Sequence, residues 1–138
     1  MKFISFSIFF GLSLVRTDFK IAKNDTATGV RVISKNNNRK EIQLVILVRQ
    51  KLESLKIVTF KSVLVAALLE YRPVPAHPGR EYGEAGVLVE RNLVILSKAN
   101  EGYFNLEFVP ADDYILKQHK LNVTESYIWH SGQYVLKK

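Results

Sequence analysis

The sequence predicts an α+β fold: one domain in which a twisted, mostly antiparallel β-sheet carries two helices. Three features predict it. Several runs alternate apolar and polar residues with period two, as half-buried strands do. An alanine- and leucine-rich run, 60–71, stops at a proline. An acidic turn at Pro110-Ala111-Asp112-Asp113 opens a second, shorter helical stretch. The 138 residues suit one compact domain. A hydrophobic content of 47% excludes disorder along the whole chain. The absence of cysteine excludes disulfide scaffolds, thiolate zinc sites and cysteine nucleophiles. A net charge of +7 and a pI near 9.7 favour a polyanionic partner.

The elements follow in chain order. In 2–16 the even positions Ile4, Phe6, Ile8, Phe10, Leu12 and Leu14 are large and apolar, whereas Ser5, Ser7, Gly11 and Ser13 fall on odd ones. That parity predicts a strand, and the segment is too short to cross a bilayer. Lys2, the apolar run and the small-residue site at Gly11-Leu12-Ser13 also admit a secretory signal, with residues 1–13 removed. The tripeptides Asn24-Asp25-Thr26 and Asn122-Val123-Thr124 fit the N-glycosylation pattern. Residues 17–28 read as a polar connection. A strand over 30–33, a turn at 36–40 rich in asparagine and a strand over 42–48 form a hairpin with a basic tip. Thr59 can cap the helix predicted over 60–71, with a strand as the alternative because of Val63 and Val65. Residues 73–86 hold three of the four prolines and three of the seven glycines, which predicts a long exposed loop. A meander over 87–90, 93–97 and 103–109 follows, broken at Arg91-Asn92 and Asn100-Glu101-Gly102. After the short helix, 123–130 and 133–137 form a closing hairpin around Ser131-Gly132.

Chemistry is sparsely encoded. His77, His119 and His130 lack the spacing that places two metal ligands on one helix face. Asp112 and Asp113 are explained as a helix start. Gly79, Gly83 and Gly86 do not have the spacing of a phosphate-cradling loop, and no Gly-x-Ser-x-Gly turn is present. A small basic nuclease using His119 and His130 is the remaining enzymatic alternative. The positive charge is better organised: Arg16, Lys20, Arg31 and Lys35 in the N-terminal third, Arg39 and Lys40 at the hairpin tip, and Lys137 and Lys138 at the end. Basic clusters on projecting turns suit phosphate or acidic headgroup contact. The expectation is a non-enzymatic structural or assembly protein without cofactor, metal or small-molecule substrate. The main rival is a secreted, cysteine-free, β-rich binding domain.

Two stretches together carry a family resemblance. Val48-Arg49, a polar connection, then Thr59-Phe60 leading an alanine-bearing helix through Val63 and Ala66 resembles the start of the folded core of rhabdovirus matrix proteins. Leu121-Asn122-Val123 followed by Ser131-Gly132-Gln133-Tyr134-Val135-Leu136 is similar to the helix-plus-hairpin ending of the vesiculovirus-type members, and 102–113 is similar to the strand and acidic turn between them. The resemblance covers about half the chain. It implies a viral matrix-like protein of virion assembly that self-associates, binds acidic membrane and contacts nucleoprotein or RNA. It places the chain in the cytoplasm, at the inner face of a membrane or in a virion. By position it makes Pro73, Val74, Pro75, His77, Pro78, Arg80 and Tyr82 a self-association loop.

Overall fold

The computed structural model describes residues 13–36, 39–52, 54, 56–74 and 85–138. Strands make up 77% and helix 5%, which overturns the α+β expectation of two helices. Eight antiparallel strands follow one another in chain order: β1 (Ser13–Ala22), β2 (Asp25–Asn36), β3 (Arg39–Leu52), β4 (Ile57–Val74), β5 (Ala85–Asn100), β6 (Tyr103–Pro110), β7 (Glu125–His130) and β8 (Gln133–Leu136). The first six close into a barrel because β6 also pairs with β1, through Tyr103 and Ala22. Closure shortens the free edges of β1 and β6, whereas β8 is paired only with β7.

The predicted helix over 60–71 is the middle of β4. Its alternation is obscured by two register shifts against β3, between Ile42 and Gln43 and between Ile46 and Leu47. Each inserts an extra residue, so Val63, Leu64, Ala66 and Leu68 all reach the core, while Val65 points out and is exposed. A strand apolar at so many positions imitates a buried helix. The polar connection predicted over 17–28 is also corrected, since it belongs to β1 and β2. Phe19 and Ile21 face inward there, between the outward Asp18 and Lys20. The meander break at Arg91-Asn92 is absent, and β5 runs through it. The N-terminal strand predicted over 2–12 lies outside the described residues, and β1 begins at Ser13.

Other elements form in the order the sequence places them, but the turn expected over 36–40 is shorter, since Asn36 belongs to β2 and Arg39 and Lys40 to β3. The β2–β3 hairpin pairs Lys35 with Lys40 and Asn36 with Arg39. Two-residue turns join β5 to β6 and β7 to β8. In both, the two central residues have positive φ, Glu101-Gly102 and Ser131-Gly132, the geometry that matches strand twist and favours glycine. The short helix α1 (Tyr114–Gln118) is capped by Asp113, whose carboxylate accepts the Ile115 N–H at 2.7 Å. Asp112 is not the cap. It pairs with Lys117 at 2.9 Å, and that hydrogen bond and charge lower its pKa.

The core fills the barrel with Ile21, Ala27, Ile46, Val48, Leu106 and Phe108. Because β4 meets β5 only from Leu69 onward, the β7–β8 hairpin lies against the earlier part of β4, where Lys61 Nζ donates to the Gly132 carbonyl at 3.1 Å. Its apolar face presents Trp129 and Tyr134. Trp129 stacks on Tyr103 at 3.8 Å, and Tyr134 meets Trp129 edge-on at 5.0 Å. The Tyr134 hydroxyl donates to the Phe104 carbonyl at 2.8 Å, and the Tyr103 hydroxyl donates to Asp25 at 2.9 Å.

Phe108 is fully buried at the centre of this packing. Phe108→Ala is expected to lower unfolding free energy by about 3–5 kcal/mol in urea titration. Burial raises the pKa values of Tyr103, Tyr127 and Tyr134; the Asp25 bond adds to the effect at Tyr103, and the Glu125 charge at Tyr127. A raised tyrosine pKa favours the neutral, folded form. Its contribution is complete below the ordinary value of 10.0 and is lost as pH rises through the higher folded values. Stability should therefore fall steeply above about pH 10, and Tyr134→Phe should make that alkaline decline shallower in pH-dependent thermal melts.

Candidate anion-binding end of the barrel

One end of the barrel collects the β2–β3 tip, the end of β4, the start of β5, helix α1 and the C-terminus. Register carries the basic side chains there. Lys35 and Lys40 face each other across the β2–β3 ladder. The Arg39 guanidinium lies 3.6 Å from the centroid of the Tyr71 ring. That ring in turn covers Gly86, where a Cβ would fall within 2 Å of the ring carbons, so only glycine admits this packing. The stack Arg39–Tyr71–Gly86 thus ties β3, β4 and β5 together at the rim.

Arg72 follows on β4. With Lys137 and Lys138 it lines a surface cleft of about 550 Å³, together with Val123, Glu125 and Leu136. Arg91 adjoins the same cleft and is 7% exposed. Its Nη1 donates to Glu70 at 2.9 Å, and its Nε lies 3.3 Å from Glu125 without a hydrogen bond. Glu70 also accepts from Arg72 at 3.1 Å. Two arginines and two glutamates therefore share a nearly neutral knot below the rim. Arg31 stands apart: it pairs in register with Leu44, faces the barrel interior and makes no ion pair among the described residues.

Of the basic residues singled out from the sequence, Arg31, Lys35, Arg39, Lys40, Lys137 and Lys138 belong to this end. Arg16 and Lys20 do not. Both point outward from β1, and Arg16 is held by Asp18 at 3.3 Å. Arg16 lines a separate outer-face depression of about 190 Å³ with Arg49, Leu47 and Phe60. In the expected self-association loop, Pro73 and Val74 end β4 and Val74 is buried. Pro75, His77, Pro78, Arg80 and Tyr82 lie outside the described residues.

Sequence reasoning passed over Arg72, Tyr71 and Arg91. A signal existed for Arg91, since it interrupts the apolar run Val87-Leu88-Val89-Glu90-Arg91-Asn92-Leu93 at an inward position. It also passed over the exposed apolar side chains at this end: Tyr114 is 78% and Val123 62% exposed, with Ile115 and Leu136 beside them in sequence and cleft.

The two described histidines are not brought together. His119 caps α1 before β7 begins, and His130 ends β7 beside Glu101 at 3.7 Å, so the length of that strand separates them. No group of three or more His, Asp or Glu among the described residues is placed to hold a metal. No helix among them is long and apolar enough to cross a membrane. No family model, curated protein or solved structure matches the chain.

Replacing Arg91 by methionine leaves Glu70 with Arg72 but strips Glu125 of its only cation among the described ion pairs. Arg91→Met is expected to lower stability by about 1–3 kcal/mol, measured by urea denaturation, because both glutamates keep partial access to water.

Proposed function

We propose that this chain is a non-enzymatic, peripheral binding module that docks the basic end of its barrel onto an acidic lipid surface. The observation that carries this is the gathering of Arg31, Lys35, Arg39, Lys40, Arg72, Lys137 and Lys138 at the end that also exposes Tyr114, Ile115, Val123 and Leu136. Cations attract anionic headgroups at about 1 kcal/mol each near the surface, and short aliphatic side chains beside them can enter the headgroup layer. Nucleic acid is favoured less. Single-strand binding relies on several aromatic platforms between basic residues, whereas Trp129, Tyr134 and Tyr103 pack in the core and Tyr71 is covered by Arg39, which leaves Tyr114 as the one largely exposed aromatic described at this end.

A second reading is an extracellular β-rich binding domain. It is favoured by both glycosylation tripeptides, because Asn24 sits in the exposed β1–β2 turn and Asn122 in the exposed approach to β7. Intact mass of the chain secreted from eukaryotic cells, before and after glycosidase, decides between them. A glycan-bearing chain shortened at its N-terminus selects the extracellular module.

Flotation with vesicles of mixed phosphatidylserine and phosphatidylcholine tests the leading proposal. Binding should require phosphatidylserine and fall at high salt. The Arg39→Glu/Lys40→Glu and Lys137→Glu/Lys138→Glu variants should each lose tenfold or more in affinity, about 1 kcal/mol per lost cation plus the repulsion introduced. Thermal stability should change little in Lys137→Glu/Lys138→Glu, whose charges are exposed, and fall by about 1 kcal/mol in Arg39→Glu/Lys40→Glu, which also loses the stack on Tyr71. Equal binding by all variants, or binding to RNA without binding to vesicles, would overturn the proposal.

A further inference from the structure

Among the described residues, the barrel interior is not fully closed at the basic end. A cleft of about 180 Å³ opens between Thr17, Arg31, Arg91 and Asn92, over a floor of Phe19, Leu44, Leu68 and Leu93. We infer that this mouth is a binding site for a small monocarboxylate with an apolar body, its carboxylate between Arg31 and Arg91 and its hydrocarbon on the aromatic and leucine floor.

Three properties of the cleft select that ligand. The first is size: the cleft is open to solvent, and its roughly 180 Å³ over an apolar floor takes a chain of about six carbons laid along that floor with one side left exposed. The second is charge. Glu70 and Glu125 neutralise Arg72 and Arg91, which leaves Arg31 as the single unmatched cation of the mouth and matches a monoanion. The third is donor geometry. Arg91 is buried and held by Glu70 and by Glu125, which its Nε faces at 3.3 Å, so it fixes the wall of the cleft while Arg31 supplies the free guanidinium donors. Thr17 and Asn92 add uncharged polar groups at the rim. A fixed guanidinium, a free guanidinium and an apolar floor are the parts of a carboxylate pocket, in which charge-assisted hydrogen bonds orient the head and burial supplies affinity.

The other cavities are weaker candidates. In the 550 Å³ cleft Arg72 and Arg91 are already paired with Glu70 and Glu125, and the outer-face depression has its Arg16 already paired with Asp18. The mouth differs because its cation has no carboxylate against it.

Arg31 also belongs to the basic end proposed to meet lipid, but the two readings are tested apart: the ligand here enters the barrel, and Thr17→Trp changes the mouth without touching any of those cations. The experiment is isothermal titration of the full chain with hexanoate, hexan-1-ol and hexylamine. Hexanoate should bind one to one with a Kd of roughly 0.1–1 mM, as expected for so few heavy atoms. The alcohol and the amine should bind at least tenfold more weakly. Arg31→Gln, at an exposed position, should weaken hexanoate about tenfold and leave the thermal midpoint unchanged. Thr17→Trp, also exposed, should fill the mouth and abolish binding. Circular dichroism establishes that both variants are folded. Absence of saturable hexanoate binding, equal binding of hexan-1-ol, or hexanoate affinity unchanged in folded Arg31→Gln and Thr17→Trp would each overturn the site.

Discussion

Closure of the barrel rests on a narrow seam. The free edge of β6 is shared between two strands: Tyr103 pairs with Ala22 of β1, while Leu106, Glu107 and Phe108 pair with β7. A single ladder pair is a weak closure by itself, so side chains must complete it. Tyr103 does so from three directions. Its backbone meets β1, its hydroxyl donates to Asp25 at the start of β2, and its ring stacks on Trp129 of β7. The Asn100 side chain donates to the Trp129 carbonyl, which fixes the other end of the stack. Around this seam the apolar faces of six strands and one hairpin meet as a continuous core.

The basic end depends on that closure. Arg31 lies on β2 and Arg91 on β5, with two strands between them along the sheet, and they line one mouth only because the sheet curls back on itself. Likewise the tip of the β2–β3 hairpin reaches the end of β4 through the long register of β3 with β4, and Arg39 then meets Tyr71. Like charges brought together repel, and Lys35 faces Lys40 directly. The fold offsets this in part by placing Glu70 and Glu125 against the one buried arginine and by spreading Arg39 over an aromatic face. What remains is a rim on which Lys35, Arg39, Lys40, Lys137 and Lys138 form no ion pair among the described residues, with apolar side chains beside it, an arrangement suited to an anionic partner.

Much of this was legible in the sequence, and the exceptions share a cause. The β2–β3 hairpin, the Glu101-Gly102 and Ser131-Gly132 turns, the Asp113 cap and the closing hairpin rest on local rules, and those rules held. The middle of β4 failed because bulges brought Val63, Leu64, Ala66 and Leu68 to one side, erasing the period-two pattern that marks a strand. Residues 17–22 failed for the opposite reason: Phe19 and Ile21 alternate correctly, but their charged and hydroxylic neighbours lowered the apolar density below that of a conspicuous strand. The alanine-bearing helix on which the matrix-protein resemblance leaned is therefore a strand here. Charge clusters were visible as residue types, whereas their gathering at one end was not, because it depends on non-local register. Arg91 shows this best: its partners, Glu70 and Glu125, lie 21 residues before it on β4 and far beyond it on β7.

The proposed function makes one barrel end the working surface and leaves the rest of the molecule to hold its shape. Amide hydrogen exchange of the full chain, with and without phosphatidylserine-containing vesicles, tests that division most directly. Added protection is expected at 31–36, 39–42, 71–74, 114–124 and 136–138. The turns at the other end, around Asn24, Glu101 and Ser131, should be unchanged. Protection centred on those opposite turns, or on the outer face around Arg16 and Arg49, would contradict the account.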